Sequence, residues 1–349
     1  MQQDDLIGAT MGNYKILAPL GQGGMARVYK ASQENLGRDV AIKILPPWFA
    51  ADDNFVKRFN LEALLVARLS HPNIVMVFDT GKLNGHFYIV MQLVDGGTLK
   101  QRLDQLQSQG RTMDIFEAQP IFTQLADALS YAHDNEIVHR DIKPVNVLMD
   151  RKGRPILSDF GIAKALAETQ GLTRQGAGVG TPEYMSPEQC QGAPVDGRAD
   201  IYALGIMLFE TLTGRLPFTG DNYHALAHSH IYEMPPFASA VNPAIDPLVS
   251  QIIQTALAKN PAQRYQRAED MGKALEQAAR ALQLQSQRNA GDISRLATTP
   301  LYPCPQCQHF NKPNVRYCTK CGFTLKICRF CSTPNMVSNR FCSKCGQTV

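Results

Sequence analysis

Eight of the nine cysteines lie between positions 304 and 345, in a repeat of period 24. Cys304-x2-Cys307-x10-Cys318-x2-Cys321-Gly322 recurs as Cys328-x2-Cys331-x10-Cys342-x2-Cys345-Gly346. Asn311/Asn335, Arg316/Arg340, Tyr317/Phe341 and Lys320/Lys344 repeat in step. Units this small cannot bury enough apolar surface to fold alone, so cross-links must hold them. Paired C-x2-C knuckles supply four thiolates to a tetrahedral Zn²⁺, and such a site contributes about 10–16 kcal/mol of apparent folding free energy. The ten-residue interval implies a compact ribbon, and a glycine after the second knuckle suits a tight turn. The expectation is two sites, Cys304, Cys307, Cys318 and Cys321 holding one zinc and Cys328, Cys331, Cys342 and Cys345 a second. Four disulfides are the alternative, and they require an oxidising compartment.

The cysteine-rich tail is chemically distinct from the rest. Residues 301–349 carry seven Lys/Arg and no Asp or Glu, which leaves 28 basic against 31 acidic residues in the remainder. Each Zn(Cys)₄ centre is formally −2, so the tail nets +3, too little to argue nucleic acid over a protein partner. Closed four-cysteine sites imply no catalysis there. Residues 285–303 turn to Gln, Ser, Arg and Thr without an apolar period and read as a flexible linker of about 25 Å r.m.s. span. Thr298-Thr299-Pro300 is a phosphosite candidate on composition alone.

A length of 349 residues suggests about two domains, and 44% hydrophobic with 19% charged residues suits an ordinary globular chain. No apolar run reaches the ~18 residues of a membrane span. The stretch 201–212 carries Glu210 and follows Asp200, so it reads as a buried core helix. Met1-Gln2-Gln3-Asp4-Asp5 is acidic, unlike a signal peptide. The expected location is the cytoplasm, where thiols stay reduced.

The chemistry is concentrated in His139-Arg140-Asp141-Ile142-Lys143-Pro144-Val145-Asn146, followed by Asp159-Phe160-Gly161. These put two carboxylates, a lysine and an amide into one short span. Phosphoryl transfer needs such a set: a carboxylate to orient a hydroxyl, oxygen ligands for Mg²⁺, and positive charge at the γ-phosphate. Upstream, Gly21-Gln22-Gly23-Gly24-Met25-Ala26-Arg27-Val28 lies between two strand-like runs. A dinucleotide fingerprint would open a helix instead, and the Lys-Ser/Thr of a P-loop is missing. A glycine-tipped hairpin lets backbone N–H groups approach phosphate oxygens. Val40-Ala41-Ile42-Lys43 follows, and then residues 55–69, an apolar stripe of helical spacing that flanks Glu62. Asn84-Gly85 joins two further strands, and Asp114-Ile115-Phe116-Glu117 opens a helix reaching about Asn135.

These motifs, taken with their order and spacing, resemble the bacterial Hanks-type (eukaryotic-like) serine/threonine protein kinases, over about residues 12–284. The resemblance implies an α+β bilobal kinase fold, with a β-rich N-lobe over about 12–94 and a mostly helical C-lobe over about 95–284. The tail, 304–322 and 328–346, resembles a double zinc ribbon. By resemblance, Asp141 orients or deprotonates the hydroxyl, Lys143 steadies the γ-phosphate, and Asn146 and Asp159 hold Mg²⁺ (or Mn²⁺). Gly21, Gly23, Val28, Ala41, Lys43, Glu62, Gln92 and Val94 surround ATP, with Lys43 paired to Glu62. The main chain of Gln92 and Val94 would meet adenine beside a gatekeeper Met91. Ala26 stands where the family has its third glycine, and Gln92 where a glutamate is common.

The resemblance extends through an activation segment, 159–188, ending in Ser186-Pro187-Glu188. Thr181 matches the threonine that hydrogen-bonds near the catalytic aspartate. Thr169 and Thr173 lie in a polar run, and Thr173 is the expected autophosphorylation site, with a buried Arg140 guanidinium as partner for the phosphate. Asp200 matches the aspartate that holds the catalytic-loop backbone, and Arg264 the arginine that pairs with Glu188. Cys190 reads as structural. His224 and His228, at i,i+4, read as exposed helix residues without a third metal ligand.

The expected function is a non-specific ATP-dependent serine/threonine protein kinase with two structural zincs in a docking or regulatory tail. Lys143, two positions after Asp141, is the serine/threonine form of the loop. Protein substrates, a protein partner of the ribbons and a homodimer for autophosphorylation are the expected partners, with no membrane. The alternative is a pseudokinase adaptor whose ribbons bind protein or nucleic acid, against which Lys43, Glu62, Asp141, Asn146 and Asp159 are all present.

Overall fold

The structure, a computed structural model, describes residues 6–22, 26–46, 50, 53–161, 182–297, 302–312, 315–331 and 333–349. Gly23, Thr169, Thr173, Thr181 and Thr298-Thr299-Pro300 lie outside them. The chain divides into two compact units, Met1–Ala279 and Arg280–Val349.

The first unit opens with a six-stranded antiparallel sheet in the order β1-β2-β3-β4-β6-β5. Its strands are β1 (Thr10–Met11), β2 (Tyr14–Gln22), β3 (Arg27–Gln33), β4 (Arg38–Leu45), β5 (Val77–Leu83) and β6 (His86–Gln92), with helix α1 (Asp53–Val66) between β4 and β5. The β5–β6 connection is Asn84-Gly85, both at positive φ (49° and 79°), as a two-residue hairpin requires. Side chains of β4 alternate between two cores. Val40, Ile42 and Ile44 join Tyr14, Ile16, Tyr29, Tyr88 and Val90 on one side. Leu45 turns to the other, where Ala26, Ile89 and the α1 residues Phe59 and Ala63 pack. Ala26 therefore spends its methyl group in this second core rather than at the tip of the glycine-rich hairpin.

Beyond β6 the unit is mostly helical. α2 (Leu99–Ser108) starts on a capping box made by Thr98 and Gln101, and α3 (Ile115–Asp134) is N-capped by Asp114, whose side chain accepts from the amides of Phe116 and Glu117. Ala118, Ile121, Phe122, Leu125, Ala128 and Leu129 are the buried face of α3. A small hairpin, β7 (Val147–Met149) with β8 (Pro155–Leu157), carries the loops on either side of it. Then follow α4 (Pro187–Gln191), α5 (Gly197–Thr213), α6 (Tyr223–Tyr232), α7 (Ala238–Val241), α8 (Pro247–Ala256) and α9 (Ala268–Ala297). α5 is buried nearly throughout and ends at Gly214 in the left-handed conformation (φ 75°). Gly205 lets it approach α8 closely, since a Cβ there would sit 2.8 Å from that of Ala256.

Helix α9 runs to Ala297, so residues 285–297 are helical where composition alone reads as flexible linker. Ala, Leu, Gln and Arg have high intrinsic helix propensity, and an existing helix propagates more easily than a new one nucleates.

The second unit adds two short hairpins, β9 (Tyr302–Pro303) with β10 (Phe310–Asn311) and β11 (Leu325–Ile327) with β12 (Pro334–Met336). The same backbone hydrogen bonds recur 24 residues apart. Cys318 N donates to Phe323 O and Cys342 N to Gln347 O; Leu325 N donates to Arg316 O and Val349 N to Arg340 O.

Candidate active site and metal centres

The site is built on a buried carboxylate, Asp200 in the first turn of α5, which is 1% exposed. Its Oδ2 accepts from the His139 amide and its Oδ1 from the Arg140 amide, both at 2.8 Å. His133 Nε2, from α3, also reaches Oδ2 at 2.8 Å. Burial alone would raise the Asp200 pKa, but these donors, His133 foremost, hold it below the usual carboxylate range. His133 fits there because position 197 is glycine: a Cβ would lie 2.6 Å from its Nδ1. Two loop amides fixed in this way hold Arg140 at φ +64°, an uncommon conformation for a side-chain-bearing residue.

His139 is fully buried, and burial pushes its pKa down. Its partners assign the neutral tautomer: Nε2 donates to Ser158 O at 3.1 Å, while Nδ1 accepts from the Asp141 amide at 3.3 Å. Its ring packs on Phe160, centroids 4.4 Å apart. The imidazole thus ties the two motif loops together. Gly161 completes the join: its amide donates to His139 O at 2.7 Å, and a Cβ would come within 2.9 Å of the Asp141 Cβ.

Asp141 receives the Lys143 ammonium on Oδ2 at 2.9 Å. Asn146 Nδ2 donates to Asp141 Oδ2 at 2.9 Å and to Asp141 O at 2.8 Å. Since the amide nitrogen is committed to Asp141, the Asn146 oxygen is the ligand atom it offers a cation. Across the cleft, β4 delivers Lys43 on the side facing α1. Its ammonium lies 2.8 Å from Glu62 and 2.8 Å from Asp159. Burial by itself lowers the lysine pKa, but the Asp159 and Glu62 carboxylates outweigh it and raise it above the ordinary value. Lys43 in turn lowers Asp159, whereas burial pushes Glu62 up against the pull of the lysine. Asp159, at φ +54°, is 46% exposed, leaving a carboxylate edge open as a hard-cation ligand. Asn146 and Asp159 are thus an all-oxygen donor pair that fits Mg²⁺ or Mn²⁺.

Other expected residues fall around this cleft. Gly21 pairs with Val28, and Val28 with Lys43, across neighbouring strands. Ala41 is buried opposite Met91 in β6. The Gln92 amide donates to Met76 O at 2.8 Å, and Val94 makes no main-chain hydrogen bond among the described residues. Arg264 pairs with Glu188 through two parallel bonds of 2.7 and 2.8 Å. It also donates to the carbonyls of Ala258, Arg198 and Lys259. Burial pushes the Cys190 thiol up to about 12, so it is inert. His224 and His228 are exposed on α6, and the cysteine tetrads are the metal-capable clusters among the described residues. Arg140 is half-buried, less enclosed than expected of a phosphate partner.

Sequence reasoning misses three positioning residues: Gln189, which reaches Arg140 O at 3.0 Å, His133, and Gly197. Their partners lie 49, 67 and 64 residues away in the chain, and no local pattern marks them.

In the second unit, each cysteine tetrad has its sulfurs within 4.8 Å of one another. Neighbouring sulfurs are 3.6–3.8 Å apart in the first tetrad and 3.5–3.6 Å in the second. A Zn–S bond of ~2.3 Å makes a tetrahedron with edges of about 3.8 Å, whereas a disulfide needs ~2.05 Å. The thiol set fits zinc, and all eight cysteines are free. Behind each tetrad sits a buried asparagine. Asn311 Nδ2 donates to His309 O (2.8 Å) and toward Cys318 Sγ (3.6 Å), and its Oδ1 accepts from Thr319 N and Oγ1. Asn335 repeats the pattern with Thr333 O, Cys342 Sγ and Ser343.

Comparison with known proteins agrees with this geometry. The family model described as protein kinase domain matches residues 14–276, and the one described as double zinc ribbon matches 304–346. The chain is 45% identical over 260 residues to serine/threonine-protein kinase PrkC of Bacillus subtilis, covering 74% of this chain and 39% of that protein. It is 41% identical over 262 residues to serine/threonine-protein kinase PknB of Mycobacterium leprae, covering 74% and 42%. The chain thus spans about two-fifths of the length of the curated relatives it matches. Among solved structures, the Mycobacterium tuberculosis PknI kinase domain superposes with a TM-score of 0.62 at 32% identity, covering 78% of this chain and 98% of that one.

Proposed function

We propose, for a chain that belongs to the protein kinase family and ends in a double zinc ribbon, that it transfers the γ-phosphoryl group of ATP to serine and threonine hydroxyls of proteins. The observation that carries this reading is the set Asp141, Lys143 and Asn146 facing Lys43, Glu62 and Asp159, each joined to a partner by bonds of 2.8–2.9 Å. Asp141 orients the acceptor hydroxyl and receives its proton. Lys143, already at the Asp141 carboxylate, is placed to meet the transferring phosphoryl oxygens. Glu62 holds Lys43 extended toward the α- and β-phosphates, and Gly21 and Gly23 are assigned to phosphate binding, as in the family. Asn146 and Asp159 would hold Mg²⁺, which neutralises phosphate charge as the leaving oxygen departs. The hinge at Gln92 and Val94 offers main-chain groups to adenine. The assembled set disfavours an adaptor without catalysis.

The kinase domain is assigned to 12–284 and the ribbons, each with one structural zinc, to 304–322 and 328–346. Thr173 is the proposed autophosphorylation site, in trans between two copies, and Thr181 is assigned the role of the family threonine that hydrogen-bonds near the catalytic aspartate. Ribbons that need reduced thiols support a cytoplasmic location. No described helix is long and apolar enough to cross a membrane.

The test is labelling of a protein substrate, and of the chain itself, with γ-³²P-ATP and Mg²⁺. Wild type labels hydroxyls and Asp141→Asn labels them at least a hundredfold more slowly. An unlabelled wild-type reaction overturns the assignment. Peptide mapping without phosphate on Thr173, together with full activity in Thr173→Ala, removes that site alone.

A further inference from the structure

The ribbon unit exposes the residues that folded units ordinarily bury. Tyr317 is 60% exposed and Phe341 64%, and Phe310 and Phe330 are exposed as well. Tyr317 and Phe341 occupy the same place in the two repeats, each between an exposed arginine (Arg316, Arg340) and a buried zinc-ligand cysteine (Cys318, Cys342). Tyr317 bridges to Thr324 and Phe341 to Thr348. Arg316 O and Arg340 O accept equivalent amide bonds. An exposed lysine, Lys320 or Lys344, follows three residues after each ring. The module therefore displays an exposed ring with an exposed arginine and an exposed lysine close to it in the chain, twice; the Lys344 ammonium lies 5.8 Å from the Tyr302 ring centroid.

We propose that this paired display is a binding site for single-stranded nucleic acid. The ligand must be acidic, because residues 301–349 contain no carboxylate side chain to repel it and seven Lys/Arg to attract it. It must present flat unpaired rings, because a formal charge of only about +3 carries little affinity by itself, whereas stacking contributes about 1–3 kcal/mol per base. Duplexes hide their base faces, so a single strand is selected. A polymer that repeats one base and one phosphate matches a module that repeats one ring and its cations. An acidic protein surface has no such period. This site goes beyond the phosphotransfer reading and does not depend on it.

The test is fluorescence anisotropy of fluorescein-labelled U15 RNA and dT15 DNA titrated with the zinc-loaded full chain. A labelled 15-base-pair duplex and unlabelled polyglutamate serve as comparators. Saturable binding of the single strands at micromolar protein is expected. Four phosphate contacts at −0.7 each give a salt slope near −2.8, or about 50-fold weaker binding at 200 than at 50 mM salt. Tyr317→Ala/Phe341→Ala should weaken binding at least tenfold while the chain keeps two zinc ions and its full rate of protein labelling. Tyr317→Trp/Phe341→Trp should restore it. The proposal is overturned by an absence of binding at 100 µM protein in 50 mM salt, by equal affinity for duplex or polyglutamate, or by wild-type affinity in the double alanine variant.

Discussion

The side-chain amide of Gln189 donates to the carbonyl oxygen of Arg140 at 3.0 Å. Its own oxygen accepts from the Ser186 amide at 3.0 Å, so one buried side chain ties the start of α4 to the residue before Asp141. Arg140 is also the loop residue at φ +64°. Gln189→Leu, which removes this hydrogen bond to the Arg140 carbonyl, should lower kcat about tenfold, on the scale of 0.5–1.5 kcal/mol for one lost hydrogen bond. KM for ATP should stay unchanged, because the hinge and Lys43 are untouched. A rise in KM with kcat intact would contradict this positioning role.

Arg264 and Glu188 form a buried pair in which the guanidinium also caps three carbonyls. Removing one partner strands a charge. Arg264→Met should cost about 3–5 kcal/mol of stability, read from urea unfolding of the kinase unit. Arg264→Met/Glu188→Leu should cost less than the two single changes combined.

His230 lies fully buried, its Nδ1 3.0 Å from the Tyr202 hydroxyl. Burial, aided by the Lys259 ammonium, lowers its pKa to about 4. The unfolded chain, with a histidine near 6.5, binds the proton that the folded chain refuses. Stability is therefore lost as pH falls from about 6.5 toward 4, by on the order of 3 kcal/mol over the window. His230→Gln should flatten this dependence between pH 7 and pH 5 in urea melts, and an unchanged slope would exclude His230 as its source.

Asn311 and Asn335 hold the backbone and a ligand sulfur of their ribbons in the same way. Metal analysis of wild type should return two zinc ions per chain, and Cys342→Ser should return one. Asn335→Leu, which keeps all ligands but loses the strut, should weaken zinc about 10–100-fold in competition with a chromophoric chelator.

The residues of the cleft and of the two thiol tetrads were legible in the chain because each motif is a local event. Strand alternation puts Lys43 on the α1 side, helical spacing sets Glu62 beside the buried stripe, and the 24-residue repeat pairs the thiolates without reference to anything distant. The failures have the opposite cause. Residues 285–297 show no apolar period, yet the helix continues through them, so periodicity had nothing to report. That Ala26, at the position of the family's third glycine, packs with Leu45 and Phe59 also leaves no mark in the local pattern.

By itself, then, the order of residues determined which side chains meet at the cleft and which four sulfurs lie together in each tetrad, because those groupings rest on short spacings. Only the tertiary structure decided how the catalytic loop is held: Asp200 under the amides of His139 and Arg140, His133 admitted by Gly197, Gln189 on the Arg140 carbonyl. Those contacts join elements far apart in the chain, and their partners are selected by packing of whole helices against one another, which leaves no trace in any single stretch of sequence.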